Sequence, residues 1–272
     1  MSMDAAQTVI HVENVTCAYG ERVVLQDVSF EVRRGEILFI VGGSGCGKST
    51  LLKHMIGLRD PAAGRILILG GDLARAEGAE RQALLRRFGV MYQSGALFGS
   101  MALLQNVQLP LEEFTKLPPR AVELVARLKL SLVGLAESAH SMPAALSGGM
   151  QKRAAIARAM ALDPDILFLD EPSAGLDPVT SAELDALIAS LADNLGMTFV
   201  IVSHELASID AIADRVVLLD AEVKGVAAIG APHELVRDDQ HPAVRRFFHR
   251  RPAPRREGGR DEGPQARPGG AA

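Results

Sequence analysis

A glycine-rich segment at residues 42–50 combines a flexible backbone with a lysine and several hydroxyl groups. It follows the apolar run Ile37–Val41 and precedes a stretch expected to form a helix from Lys48 to about Leu58. Glycines let backbone N–H groups converge on one anion, and the helix N-terminus adds partial positive charge. The Lys48 ammonium would contact the β- and γ-phosphates of a nucleotide, and the Ser49 hydroxyl would bind Mg²⁺. The segment therefore predicts a phosphate-binding loop formed by Gly42, Gly43, Ser44, Gly45, Cys46, Gly47, Lys48, Ser49 and Thr50.

Two acidic residues follow a second apolar run. Ile166–Leu169 predicts a buried strand, and Asp170 and Glu171 come directly after these four residues. A parallel strand delivers such residues to the carboxyl edge of the sheet, where α/β proteins bind their ligands. We expect Asp170 to hold the water shell of Mg²⁺ and Glu171 to act as general base on the attacking water. This signal is weak alone and becomes strong downstream of a phosphate-binding loop.

A third segment, at residues 146–150, predicts a second anion site. Ser147, with the backbone of Gly148 and Gly149, is expected to cap the N-terminus of a helix. An ordinary helix start of this composition is common, so the segment has little weight in isolation. It lies far from the phosphate-binding loop in sequence, within a mostly helical region. We therefore expect a γ-phosphate to meet both sites only if this segment comes from another subunit.

Together the three segments resemble the motifs of ABC ATPases. The first is similar to the P-loop of nucleoside triphosphatases, and residues 146–150 are similar to the signature sequence peculiar to the ABC group. The resemblance covers roughly residues 9–240. It implies an α/β P-loop NTPase fold of the ABC ATPase type, with a largely parallel sheet core, an antiparallel β subdomain and an inserted helical subdomain at about 94–163. It also implies ATP and Mg²⁺ as cofactors and ATP hydrolysis as the activity.

Further family motifs fall in the expected order along the chain. By resemblance, Tyr19 stacks on adenine, and Gln93 corresponds to the Q-loop glutamine that contacts Mg²⁺ and the attacking water. Residues 173–177 resemble the D-loop, which contacts the opposing subunit. His204 matches the switch histidine that contacts the γ-phosphate; a lone histidine at a strand end is more often structural, and its order and spacing favour the catalytic role. The resemblance implies that two copies of the chain sandwich two ATP molecules.

Alternating strands and helices are expected to position these residues. We predict strands at Val9–Tyr19, Val28–Val32, Ile37–Val41, Gly64–Leu69, Ile166–Asp170, Thr198–Ser203 and Arg215–Leu219. Helices are predicted after Lys48, from near Arg120, and at Gly148–Ala161, Val179–Leu195 and Leu206–Ala213. Such alternation predicts a largely parallel sheet covered on both faces. We assign residues 1–243 to the ATPase domain and 244–272 to a C-terminal extension that is mostly disordered, because Arg, Pro and Gly dominate it after Arg250.

Composition limits the other classes of function. Apolar residues make up 48% of the 272 residues, which is ample for a large core, and the net charge of −4 argues against a general nucleic-acid binder. Two cysteines are too few for a disulfide framework, so we expect a cytosolic protein. We find neither a signal peptide nor an apolar run near the ~18 residues of a membrane span. Work at a membrane would therefore need a partner.

The sequence around Gln93, together with several other segments, indicates which type of ABC transporter this ATPase serves. Residues 92–98, 106–107 and 109–111 resemble the Q-loop region of Mla-type ATPases. Residues 147–153, 203–209 and 219–225 also resemble the corresponding segments of that group. ATPases of that group serve permeases linked to MCE-domain proteins in bacterial phospholipid or lipid traffic. The resemblance implies two kinds of partner, a polytopic permease and an MCE-domain lipid-binding protein, and a place at the cytoplasmic face of the inner membrane. The ATPase of an amino-acid importer shares every catalytic motif and is the main alternative. A soluble ABC protein is disfavoured, because translation factors of that kind usually carry two cassettes and DNA-repair proteins carry a long coiled-coil or zinc-hook insertion, whereas this sequence shows one cassette and no such insertion.

Two features stay open at this level. Cys46 lies beside a helix N-terminus, an environment that can lower a thiol pKa, so we hypothesise that alkylation blocks ATP hydrolysis and that bound nucleotide protects. The family resemblance treats this position as variable packing, and we favour that structural interpretation. The extension after Ala243 is expected to help dimerisation or assembly, as extensions do in the Mla-type group. Val244–His249 is predicted to add a turn or two of helix.

Overall fold

The computed structural model describes residues 7–237 and 241–248. The strands in these ranges are β1 (Thr8–Tyr19), β2 (Arg22–Arg33), β3 (Ile37–Gly42), β4 (Ala63–Ile68), β5 (Gly71–Asp72), β6 (Phe88–Met91), β7 (Ile166–Asp170), β8 (Thr198–Val202), β9 (Arg215–Asp220) and β10 (Gly225–Gly230). The helices are α1 (Lys48–Met55), α2 (Gly78–Leu85), α3 (Leu103–Phe114), α4 (Pro119–Leu132), α5 (Gly148–Ala159), α6 (Pro178–Leu195), α7 (Leu206–Ile212), α8 (Pro232–Leu235) and α9 (Pro242–Phe248). The disordered extension predicted beyond Arg250 lies outside the described residues.

The strands form two sheets. A six-stranded sheet has the order β10-β9-β3-β8-β7-β6, in which all neighbours are parallel except the antiparallel pair β10 and β9. A four-stranded antiparallel sheet has the order β2-β1-β4-β5. β1 and β2 form a hairpin that closes at Gly20–Glu21, where Tyr19 pairs with Arg22. The predicted α/β fold with a parallel core and an antiparallel β subdomain is confirmed.

The core lies on both faces of the six-stranded sheet. Along β3, Phe39 and Val41 belong to the cluster shared with the helical segments, whereas Leu38 and Ile40 belong to the cluster shared with α1 and the antiparallel sheet. Successive side chains of a strand point to opposite faces, so a strand buried on both sides is apolar throughout. This explains the continuous apolar run from Ile37, and it places the end of β3 at the centre of the molecule.

The helical subdomain contains α3, α4 and α5, which pack against one another. The segment that leads from the sheet into α3 is held by the side chain of Asn106, which is fully buried. The Asn106 Oδ1 accepts from the Phe98 N–H at 2.8 Å, and its Nδ2 donates to the carbonyls of Phe98, Met101 and Ala102 at 3.2, 3.0 and 3.1 Å. A buried amide with its partners satisfied rigidifies the segment around it. The loop after Gln93 is thereby anchored to α3.

Some elements differ from the sequence prediction. α1 ends at Met55 rather than near Leu58, because Gly57 has a φ of +71° that is incompatible with a helix. β6 was not predicted, since a four-residue strand containing Gly89 gives a weak pattern. A Cβ at Gly89 would lie 2.1 Å from the Ala159 carbonyl oxygen, so this glycine allows the end of α5 to lie against β6. α2, β5, β10 and α8 also went unpredicted.

The chain beyond Asp239 contributes helix α9, which crosses the predicted domain boundary at 243. Ala243, Val244 and Phe247 are buried, and the Arg246 Nη2 donates to Asp220 at 2.8 Å. The predicted short helix therefore packs on the ATPase domain beside β9 and β10. Among the described residues, no helix combines the length and the apolar character that crossing a membrane requires.

Candidate nucleotide-binding site

The glycine-rich segment forms the loop between β3 and α1, as its position in the sequence predicts. Gly42 has a φ of +150°, and a Cβ there would lie 2.4 Å from the Leu219 carbonyl oxygen. Gly47 caps α1 with a φ of +107°, and a Cβ there would lie 2.8 Å from Leu25. Only glycine meets both requirements, because side chains disfavour this conformation and would clash with their neighbours. The loop thus begins in the sheet and ends at a helix N-terminus.

Lys48 is the first residue of α1, and its side chain turns back over the loop. Its Nζ donates to the carbonyls of Gly42 at 2.9 Å and Gly43 at 3.2 Å. The ammonium therefore lies within the loop, beside the N-terminus of α1. This combination of a fixed cation and a helix N-terminus suits a phosphate group.

A cleft of about 650 Å³ opens above this loop. Tyr19, Gln93, Glu171 and His204 line it, although they come from four distant parts of the chain. The other residues that line the cleft are Arg22, Val24, Ser44, Gly45, Gly47, Lys48, Ser49 and Thr50. Most of the predicted site residues are therefore brought together. Asp170 lies beside the cleft and lines a neighbouring pocket with Gln93, whereas residues 147–149 line neither.

Glu171 is held in an uncommon backbone conformation immediately after β7. Its φ is +48°, and its N–H donates to the Val202 carbonyl at 2.8 Å. A non-glycine residue at positive φ is strained, and such strain occurs preferentially at functional sites. The Glu171 carboxylate accepts from the His204 Nδ1, with distances of 2.8 and 2.9 Å to its two oxygens. The backbone and the histidine together orient the carboxylate toward the cleft.

Asp170 stands at the end of β7 and is half-buried. Its Oδ1 is buried and accepts no hydrogen bond from a described residue. Burial raises the pKa of Asp170, the adjacent Glu171 raises it further, and Lys53, Lys48 and Lys152 act in the opposite direction. A buried carboxylate oxygen without a protein donor suits a metal ion or its bound water.

Tyr19 lies at the mouth of the cleft, where the β1–β2 hairpin turns. The ring is 37% exposed, and the Arg59 guanidinium lies 4.4 Å from its centroid. Stacking on one face of the ring restricts its orientation. Arg22 and Val24 also line the cleft, and sequence reasoning missed both. They alternate along β2 directly after the turn, so the two-residue period of a strand could have placed them on one face.

Ser147 caps α5, as predicted. Its Oγ accepts from the Met150 N–H at 3.3 Å, and α5 begins at Gly148. A Cβ at Gly149 would lie 2.4 Å from the Thr180 Cγ2, which explains a glycine at this position. The segment is thus a helix N-terminus that lies outside the cleft of its own chain.

The environment of Cys46 contradicts the hypothesis of a reactive thiol. The side chain is 2% exposed, and burial raises the pKa of the thiol, although Lys48 and nearby backbone donors act to lower it. The expected lowering of the pKa is therefore wrong, because the loss of hydration outweighs the helix N-terminus. The structural interpretation of Cys46 as a packing residue agrees with its burial.

We accordingly expect iodoacetamide to leave ATP hydrolysis unchanged in the folded protein, since the thiolate is scarce and shielded. Mass spectrometry after timed alkylation would measure modification of Cys46, with protein unfolded in urea as the positive control. Rapid modification of the native protein with loss of activity would contradict this expectation.

A glycine-rich loop that holds a lysine, a cleft above that loop and a parallel sheet together define a P-loop nucleotide-binding cassette. The sequence profile described as ABC transporter matches residues 25–174. The chain belongs to the ABC transporter ATP-binding family, and its activity is ATP hydrolysis coupled to transport.

Individual relatives refine the comparison. The chain is 40% identical to "Intermembrane phospholipid transport system ATP-binding protein MlaF" of Haemophilus influenzae over 221 residues, which cover 81% of this chain and 83% of that protein. It is 38% identical to "Probable ribonucleotide transport ATP-binding protein mkl" of Mycobacterium leprae over 242 residues, covering 89% of this chain and 69% of that protein. The solved dimeric structure of the ATP-binding cassette MJ0796, bound to ADP and Pi, is similar with a TM-score of 0.73 and 30% identity, covering 82% of this chain and 98% of that chain.

Proposed function

We propose that two copies of this chain sandwich two MgATP molecules and drive a permease that moves phospholipid or a related lipid across the bacterial cell envelope. The observation that carries the ATPase part is the single cleft that unites Lys48, Gln93, Glu171 and His204. The observation that favours a lipid as the transported molecule is the 40% identity to a phospholipid transport ATPase over most of both chains.

In the proposed reaction each cleft residue has a separate task. Lys48 exchanges its carbonyl partners for the β- and γ-phosphates, which carry more charge. Glu171 accepts a proton from the attacking water, and Gln93 orients that water. His204 is paired with Glu171 through Nδ1, so Nε2 is the ring nitrogen left to contact the γ-phosphate. Tyr19 stacks on adenine with the ring face that Arg59 does not cover.

The residues beside the P-loop fit a magnesium ion. Mg²⁺ prefers oxygen ligands and keeps several waters, and its charge neutralises the phosphate oxygens during phosphoryl transfer. The Ser49 hydroxyl and the Gln93 side chain line the cleft, and the buried Asp170 Oδ1 has no donor among the described residues. We propose that Ser49 and Gln93 bind the ion directly and that Asp170 holds its water.

The second copy supplies what one cleft lacks. Ser147, Gly148 and Gly149 form a helix N-terminus outside the cleft, which supports their use by the nucleotide of an opposing subunit. The similar cassette MJ0796 is dimeric in its solved structure. We propose the same arrangement here, with residues 173–177 contacting the opposing subunit.

We propose a polytopic permease and an MCE-domain protein as membrane partners, which would hold the chain at the cytoplasmic face of the inner membrane. The mycobacterial relative is a probable ribonucleotide transport ATP-binding protein with 38% identity over 89% of this chain, which makes ribonucleotide transport a second candidate. An amino-acid importer would use the same catalytic residues. The partner proteins and the transported molecule distinguish these cases, because the ATP site is common to all of them.

The test is affinity purification of the tagged chain from its native membrane in mild detergent, with an untagged strain as control and mass spectrometry as readout. We expect to recover a polytopic permease with an MCE-domain protein. The purified complex should show ATP hydrolysis that is stimulated by phospholipid vesicles and unaffected by ribonucleoside monophosphates. Recovery of a permease with a soluble solute-binding protein, or of no membrane protein, would overturn the lipid proposal.

A further inference from the structure

Two lysines in the helical subdomain are buried, and they have different partners. Lys129 on α4 is 6% exposed and pairs with the Asp163 carboxylate. Lys152 on α5 is 8% exposed and forms no ion pair with a described residue. Instead, its Nζ donates to two backbone carbonyls, that of Gln93 at 2.5 Å and that of Glu171 at 3.5 Å. A buried ammonium bound to carbonyls instead of a carboxylate requires a reason, because burying a charge is costly.

The two carbonyls belong to residues with assigned tasks in the proposed reaction. Glu171 is strained, with a φ of +48°, and its peptide is held on one side by the Val202 carbonyl. On the other side its carbonyl accepts from Lys152 and, at 3.2 Å, from the Ala174 N–H. Lys152 therefore helps to keep this backbone in the conformation that directs the carboxylate into the cleft.

The Gln93 carbonyl lies where β6 passes into the loop of the helical subdomain. Lys152 on α5 donates to this carbonyl, and Arg158, six residues further along the same helix, donates to the Ala96 carbonyl at 2.6 Å. Two cations of α5 thus hold this loop at separate points. Only Lys152 also reaches Glu171, so it alone of the two bridges the loop and the end of β7.

The same helix begins with the second anion site. Lys152 follows Ser147 by five residues, a distance of roughly 7.5 Å along a helix axis. In the proposed dimer Ser147 meets the nucleotide of the opposing subunit, whereas Lys152 contacts the backbone of Gln93 and Glu171 in its own subunit. A movement of α5 on closure is therefore transmitted to both residues by one side chain.

We propose that Lys152 is a positioning residue for ATP hydrolysis, which sets Glu171 and Gln93 relative to each other and connects them to the helix bearing residues 147–149. This inference rests on the proposed roles of those two residues. The ammonium also lies in the field of Asp170 and Glu171, whose negative charges oppose the lowering of the Lys152 pKa by burial.

The test compares Lys152→Met with Lys129→Met in the full-length protein. Each removes one buried ammonium from the helical subdomain, but only the first removes a contact to the catalytic residues. We expect Lys152→Met to lower kcat by at least about tenfold, the effect of losing a hydrogen bond from a charged donor, while the ATP dissociation constant stays within about threefold. Lys129→Met should keep kcat within about twofold.

Lys152→Arg is the conservative variant, since a guanidinium can donate to both carbonyls, and we expect it to recover most of the lost kcat. A folded Lys152→Met protein with kcat within about twofold of the wild type would overturn the inference. Equal losses of kcat and ATP affinity, without recovery in Lys152→Arg, would also overturn it, because they indicate general disruption. If Lys152→Met fails to fold, Lys152→Gln is judged by the same criteria. Wild-type and Glu171→Gln activities in the same assay separate failure of this inference from failure of the proposed function.

Discussion

ATP hydrolysis by a Glu171→Gln variant is expected to fall about 100- to 1000-fold while MgATP still binds. The amide cannot accept the proton of the attacking water, and general-base catalysis contributes factors of this size. Lys48 and the loop glycines remain in place, so the phosphate contacts are retained. His204 keeps a hydrogen-bonding partner, because a glutamine Oε1 can accept from its Nδ1 as the carboxylate does.

Steady-state phosphate release would measure kcat, and equilibrium binding of a fluorescent ATP analogue would measure affinity. Glu80→Gln is the matched control, since Glu80 is an exposed glutamate on α2. The bound state should also accumulate as a dimer, which size-exclusion chromatography with MgATP can detect. Hydrolysis at near the wild-type rate would show that Glu171 is not the base.

Replacing Lys48 with alanine is expected to weaken ATP binding by about 10- to 100-fold, the range for losing a hydrogen bond from a charged donor. The ammonium is the cation within the loop, 2.9 Å from the Gly42 carbonyl, and no other loop residue can replace its charge. ADP should lose affinity less than ATP does, because the γ-phosphate contact exists only with ATP.

Isothermal titration calorimetry with ATP and ADP would measure both losses. Lys53→Ala is the matched control: it removes the same charge from the same helix, is exposed, and does not line the cleft. An unchanged ATP affinity in Lys48→Ala would contradict the role assigned to this residue. A similar loss in Lys53→Ala would indicate that the helix as a whole was disturbed.

Local chemistry explains why the sequence predicted so much of the site. The turn of the phosphate loop depends on glycines and on a strand and helix that adjoin it, all within residues 37–58. The pair Asp170 and Glu171 likewise follows a strand apolar enough to be buried on both faces. Ser147 caps α5 with its own hydroxyl. Such features need only neighbouring residues, and the structure places each of them as predicted.

Most of the features that the sequence predicted wrongly, or did not predict, have a weak local pattern or depend on residues far away in the chain. β6 has four residues and contains Gly89, whose purpose becomes visible only when the end of α5 lies against it. The thiol of Cys46 appeared activated because its sequence neighbours are a lysine and a helix start. Burial among side chains from distant segments reverses the expected direction of its pKa. Neither effect is present in the local sequence.

By itself, the sequence determined the phosphate loop, the strand that presents the two acids, the capped helix at residues 147–149 and, through their combination, the ABC ATPase class. Only the tertiary structure decided that Glu171 is held by His204 and Val202, and that the buried Lys152 reaches the carbonyls of both Gln93 and Glu171. The physical reason is range: loops and caps are governed by backbone conformation over a few residues. The mutual placement of residues 93, 152, 171 and 204 depends on how a sheet and a helical subdomain pack together.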